Sequence, residues 1–242
     1  MSAPAKLTVS LRVTGVRPDS FHLIDAEMVT LALADIIEIN PNSDGIQLNG
    51  KFAGGLSTSE DNLVARALKL VNRRAGVVIT KNIPSGGGLG GGSADAAAVL
   101  RWAGFTDLVV AAKLGADIPF CIVGGRARVL GIGEIIEPLP NTRREITLVI
   151  PPFTVSTPAV YKAFDELTQF GKAPIKNLSS NDLEAAAIYI EPRLAIWKQK
   201  ITQVAGAEPI LAGSGSTWWL DGKFESLASQ LPEATVLVTH SQ

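Results

Sequence analysis

From Lys6 to Val13 polar and apolar residues alternate, with Lys6, Thr8, Ser10 and Arg12 on one face and Leu7, Val9, Leu11 and Val13 on the other. A period of two is that of a half-buried strand. Gly15 to Ser20 is turn chemistry. Met28 to Asn40 then reads as one or two strands running into the turn Asn42-Ser43-Asp44-Gly45, with Gln47 and Leu48 completing a hairpin. Ser59 is positioned to cap a helix over Glu60 to Asn72, where Leu63, Ala67, Leu68 and Val71 fall on one face. Val77 to Lys81 is a short β-branched strand, a glycine run follows, and alanine-rich Ser93 to Trp102 is helical, closing at Gly104.

Beyond it, Thr106 can cap a helix from Asp107 to Leu114, with Gly115 as its stop. Ile118 to Val123, Ala127 to Gly131 and Ile146 to Ile150 have the composition of strands. Pro151-Pro152 marks a domain boundary, giving units 1–150 and 151–242. The second unit carries helical patterns at Thr157 to Leu167, Asn181 to Ala187 and Glu191 to Val204, then strands near Ile210 and at Ser216 to Leu220. Strands and helices in this order make an α/β or α+β protein.

Composition narrows the chemistry. Of 242 residues, 46% are hydrophobic and 19% charged, which excludes disorder, and 23 glycines and 14 prolines demand many specific turns. Lys and Arg number 22 against 23 Asp and Glu, so there is no basic field for nucleic acid. Cys121 is the only cysteine, which rules out an intrachain disulfide and a cysteine zinc site. With no long apolar stretch and no signal-peptide pattern at the amino terminus, the reading is a cytoplasmic protein without membrane contact.

Glycines between a strand and a helix let backbone amides approach an anion, and the helix N-terminus adds about half a positive charge. Gly86, Gly88 and Gly91 also satisfy the dinucleotide fingerprint G-x-G-x-x-G, but Pro84 intervenes and no acid-ended strand follows. Gly86 and Gly91 have P-loop spacing, yet Gly92-Ser93 stands where Lys-Ser/Thr is required. The string Pro84-Ser85-Gly86-Gly87-Gly88-Leu89-Gly90-Gly91-Gly92-Ser93-Ala94-Asp95 instead resembles the ATP loop of the GHMP kinase superfamily. Within it, the string is similar to the loop of the diphosphocytidyl-methylerythritol kinases. The resemblance recurs in Pro4-Ala5-Lys6-Leu7, Ser59 to Val64, Leu114 to Phe120, Gly131 to Glu134, Val155 to Pro158 and Leu211 to Ser216.

That resemblance implies a two-domain α+β GHMP kinase fold, with an N-terminal domain like ribosomal protein S5 domain 2 and a ferredoxin-like C-terminal domain. It implies transfer of the γ-phosphate of ATP, with Mg²⁺ accompanying the nucleotide, to a small molecule bearing a cytidine diphosphate group. It also implies Asp117 as base with Lys6 beside it, and an ATP site over Pro84 to Ala94. Phe21, His22 and Tyr161 are implied around the cytosine, with Thr8 and Thr157 as further substrate contacts. Lys81 either faces the nucleotide or is an edge-strand lysine. Gly213 to Ser216 would form a second tight loop, and Trp218 and Trp219 would be structural. No protein metal ligand is expected.

Several positions depart from the family pattern. Phe21 replaces a tyrosine, Thr8 an asparagine, Leu23 a glutamate and Ala94 a serine, and Val99 to Lys113 is short of helical sequence. Alternatives are therefore another GHMP kinase acting on mevalonate, homoserine or a sugar, or a catalytically impaired nucleotide-binding homologue.

Overall fold

Two long strands organise the chain: β1 (Ser2–Val16) and β2 (His22–Asn40) pair antiparallel along nearly their whole lengths. The computed structural model describes residues 1–168 and 179–242. The one or two strands expected after Met28 are a single strand that begins earlier, at His22. β1 does not keep its simple alternation. Its register against β2 shifts between Thr8 and Ser10, where β1 advances two residues and β2 one. This bulge turns Leu11 and Val13 onto the face that carries Lys6 and Thr8, opposite Ala26, Ile24 and Met28. Lys6 and Thr8 are buried at 5% and 2% exposure rather than solvated, which corrects the half-buried reading.

The expected hairpin after Gly45 does not form. β3 (Gly45–Asn49) runs parallel to β4 (Gly76–Thr80), which lies between it and β2. The intervening α1 (Leu63–Leu70) starts later than Ser59 suggests, because Asn62 supplies the cap: its Oδ1 accepts from Val64 N at 2.8 Å. After β4 come α2 (Gly91–Trp102), α3 (Leu108–Leu114) and α4 (Ile118–Val123). Ile118 to Val123 is therefore a helix, not a strand. Pro119 in its first turn suits a helix start, and a short apolar run alone does not separate the two states.

β5 (Arg126–Gly131) and β6 (Ile135–Leu139) complete a six-stranded sheet. α2 packs into its main core through Ala94, Ala96, Ala97, Ala98, Val99 and Leu100, all at 0% exposure. β7 (Glu145–Ile150) precedes Pro151-Pro152 yet belongs to the second sheet. Then follow α5 (Thr157–Thr168), α6 (Glu184–Ile190), α7 (Arg193–Ala205), β8 (Ile210–Leu211), β9 (Trp218–Asp221), α8 (Leu227–Gln230) and β10 (Thr235–His240). The second sheet runs β10-β7-β9-β8, the ferredoxin-like order of a βαββαβ chain. Trp218 and Trp219 are buried in it.

β1 is also tied, beside the site, to the segment that leads into α6. Leu11 N donates to Ser180 O at 2.9 Å, Asp182 N donates to Leu11 O at 2.9 Å, and Arg12 reaches Asp182 Oδ1 at 2.6 Å. Among the described residues no helix is long and apolar enough to cross a membrane.

Candidate active site

The glycine run forms one wall of a cavity of about 310 Å³. Pro84, Ser85, Gly86 and Gly88 to Gly92 line it from one side, and Leu48, Leu56, Ser57 and Asn62 from the other. Gly90 caps α2 with φ +70°, a left-handed conformation that glycine adopts without strain. The first-turn amides of α2 thus open at the cavity with the positive end of the helix dipole behind them. Gly87 and Ala94 do not line it. A Cβ on Gly87 would meet Thr217 Oγ1 at 2.7 Å, and the Ala94 methyl is fully buried in the core. Ser93 faces a second cavity.

Lys81 borders the glycine cavity but is not a free cation. Its Nζ pairs with Asp35 Oδ2 and, at 2.6 Å, with Asp95 Oδ2, and all three side chains are buried. Asp35 Oδ1 also accepts from Asn82 N at 2.6 Å and Ile83 N at 2.8 Å. Asp95 Oδ1 has no partner. Burial pushes the Asp95 carboxyl from 3.8 up to about 7, against the pull of Lys81 and with a smaller push from Asp35. The edge-strand reading of Lys81 gives way to a buried ion cluster beneath the loop.

The second cavity, of about 600 Å³, lies beside the first, and Gly88 lines both. Lys6 Nζ stands 3.2 Å from Asp117 Oδ2 at its floor and donates to Thr8 Oγ1 at 3.2 Å. Asp117 precedes α4 without capping it, which leaves its side chain directed at Lys6. Gly133 explains part of this placement: any Cβ there would collide with the Ala116 carbonyl. Lys6 N donates to Leu89 O at 3.0 Å, tying β1 to the glycine loop. Cys121, pushed up to about 12 chiefly by burial, stays a thiol.

His22, Tyr161 and Phe21 sit together in the same cavity. The His22 and Tyr161 rings are 4.6 Å apart and tilted by 34°. Phe21 is 57% exposed, held on a turn where Ser20 has φ +68° and Arg17 N donates to Phe21 O at 2.8 Å. Burial raises the Tyr161 phenol well above its ordinary range, so it stays neutral. Thr157 Oγ1 lies 2.7 Å from Ser214 Oγ, in the second glycine loop. Asn181 holds that loop by donating to Leu211 O at 2.9 Å and Gly213 O at 2.7 Å. A Cβ on Gly88 would meet Ala212 O at 2.9 Å, so the two glycine loops pack backbone to backbone.

Sequence reasoning assigned no role to Asp35, Lys162 or Asp165, and took Asp95 and Asn62 only as parts of family-like strings, though all five bear on these two cavities. The signals were present for some: Asp35 interrupts the apolar run Leu31 to Ile37, and Asp95 an alanine-rich helix. Among the described residues no group of three or more His, Cys, Asp or Glu could hold a metal.

A two-sheet α+β chain with a glycine loop over a Lys–Asp pair defines a small-molecule kinase of the GHMP type. Residues 62–125 match the family described as GHMP kinases N terminal domain. A 4-diphosphocytidyl-2-C-methyl-D-erythritol kinase from Paracoccus denitrificans is 39% identical, over 94% of this chain and 87% of the relative. One from Nitrosomonas eutropha is 34% identical, over 96% and 92%. The crystal structure of a 4-(cytidine 5'-diphospho)-2C-methyl-D-erythritol kinase superposes with TM-score 0.74 and 28% identity, covering 100% of this chain and 99% of the other. A mevalonate kinase from L. major has the same fold, with TM-score 0.68 and 16% identity over 100% and 95%. The chain belongs to the 4-diphosphocytidyl-2-C-methyl-D-erythritol kinase family.

Proposed function

We propose that this enzyme transfers the γ-phosphoryl group of ATP to the 2-hydroxyl of 4-diphosphocytidyl-2-C-methyl-D-erythritol, in the non-mevalonate route to isoprenoid precursors. The observation that carries the reading is the shared wall at Gly88. A nucleotide in the glycine-lined cavity would direct its terminal phosphate past Gly88 toward Lys6 and Asp117. The adenosine would then lie against Leu48, Leu56 and Asn62.

In this mechanism the substrate hydroxyl oxygen attacks the γ-phosphorus, the bond to the ADP oxygen breaks, and the hydroxyl proton passes to Asp117. Such transfer depends mainly on positioning and charge compensation. Lys6, 3.2 Å from Asp117, orients the carboxylate and the hydroxyl, and the amides at the start of α2 take up negative charge on the phosphates. His22 and Tyr161 hold the cytosine end, Phe21 covers it from the rim, and Thr8 and Thr157 line the path between. Exposed Lys162 offers the substrate diphosphate a second cation. Gly87 and Ala94 act beneath the loop as packing rather than as ligand contacts.

Mg²⁺ would be held largely by phosphate oxygens and water, as suits a hard ion that needs few protein oxygens; it would offset charge on the transferring group. We also read the enzyme as cytoplasmic. Its nucleotide-binding unit is the one built on the first sheet, β1 to β6, with the unit built on the second sheet closing the acceptor cavity through Thr157, Tyr161 and Ser214. The test is ADP release with Mg-ATP and a panel of the cytidine substrate, mevalonate, homoserine and galactose. Turnover is expected on the first alone. Preference for an acceptor without cytidine would move the enzyme elsewhere in the superfamily, and turnover on none despite ATP binding would point to an impaired homologue.

A further inference from the structure

His22 Nε2 lies 2.7 Å from Asp165 Oδ1, on the helix α5 that also carries Tyr161 one turn earlier. All three side chains line the acceptor cavity. An ionised carboxylate only accepts hydrogen bonds, so the short contact requires the imidazole proton to sit on Nε2. No described residue takes His22 Nδ1, which in the neutral ring is then an acceptor. The Tyr161 ring at 4.6 Å and the edge-on Phe164 ring at 6.4 Å restrict how the imidazole can turn.

We propose that Asp165 is a positioning residue for base recognition: its carboxylate fixes the Nε2–H tautomer of His22, so that Nδ1 presents an acceptor that selects cytosine over uracil. This rests on the cytidine reading given above. Cytosine carries an amino donor at C4, whereas uracil carries a carbonyl acceptor there. An acceptor at Nδ1 pairs with the first and faces the second lone pair to lone pair. A tautomer free to exchange would offer a donor half-way to either base and lose the distinction.

The experiment saturates the nucleotide site with AMP-PNP and titrates cytidine diphosphate and uridine diphosphate by calorimetry. The wild type should prefer the cytidine compound by about tenfold or more, the discrimination one well-placed base contact supplies. Asp165→Leu should reduce the preference to about threefold or less, and Asp165→Asn, whose amide can either accept from or donate to Nε2, should restore it only in part. The chain has two histidines, His22 and His240, so nitrogen-15 spectra with His240→Gln as the assignment control read the His22 tautomer directly. The wild type should show protonated Nε2, and Asp165→Leu a mixture. Undiminished discrimination in Asp165→Leu, or protonated Nδ1 in the wild type, would overturn the inference while leaving the cytidine site intact. Failure of the wild type to bind cytidine diphosphate would instead overturn the cytidine reading itself.

Discussion

Asp95→Asn isolates the buried Asp35–Lys81–Asp95 cluster. With both carboxylates ionised the trio carries a net negative charge, 0 to 5% exposed, beneath a loop meant for phosphate. The Asp95 carboxyl is raised from 3.8 to about 7, so the folded state binds a proton that the unfolded state has already released across that window. A raised acid therefore costs stability as pH climbs from 3.8 to about 7, and nothing further above it. At about 1.4 kcal/mol per pH unit, the wild type should lose about 3 kcal/mol between pH 5 and pH 8 from this group. Asp95→Asn cannot pay out that proton and keeps an oxygen for Lys81. Urea unfolding of both proteins at pH 5, 6, 7 and 8 gives the difference, in which the remaining carboxylates cancel. The variant should gain on the wild type steadily up to about pH 7 and then run parallel. Parallel profiles throughout would refute the argument and mean that Lys81 holds both carboxylates ionised in the fold.

Lys6→Met should lower kcat by about 10²-fold or more while leaving ATP binding by calorimetry within about threefold, since Lys6 touches Asp117 rather than the nucleotide cavity. Gly88→Ala places a Cβ 2.9 Å from Ala212 O and 3.0 Å from Gly215 O at φ +77°; with backbone on both sides it should cost about 1–3 kcal/mol in thermal unfolding and weaken ATP binding. Asn181→Ala leaves the Leu211 and Gly213 carbonyls without their donor and should cost about 1–3 kcal/mol in urea unfolding, with KM for the cytidine substrate rising more than KM for ATP.

Local pattern carried the sequence reading wherever one element decided the outcome. The glycine run, the alanine-rich helix after it and the Asp117 turn were legible because their chemistry is written in consecutive residues. What a sequence cannot display is register. The alternation in β1 put Leu11 and Arg12 on the wrong faces, because one extra residue near Val9 is visible only against β2. The same holds for β3, whose partner is β4 across α1 rather than the adjacent strand. Ile118 to Val123 failed for another reason: six apolar residues suit either state, and Pro119 decides only once the helix context is known. At the site, the sequence left Lys81 open between a nucleotide-facing and an edge-strand lysine, because its partners Asp35 and Asp95 lie 46 and 14 residues away. Asp165, 143 residues from His22, had no local signal at all.

The central claim is phosphoryl transfer to a hydroxyl with Asp117 as its base, and phosphorus-31 NMR of the reaction tests it most directly. Purified enzyme with Mg-ATP and 4-diphosphocytidyl-2-C-methyl-D-erythritol should give ADP and one new phosphomonoester in equal amounts, with the cytidine diphosphate resonances retained. Asp117→Asn should slow this by about 10²–10⁴-fold, the range of a positioned base. Inorganic phosphate in place of the ester, or an Asp117→Asn enzyme as fast as the wild type, would contradict the account.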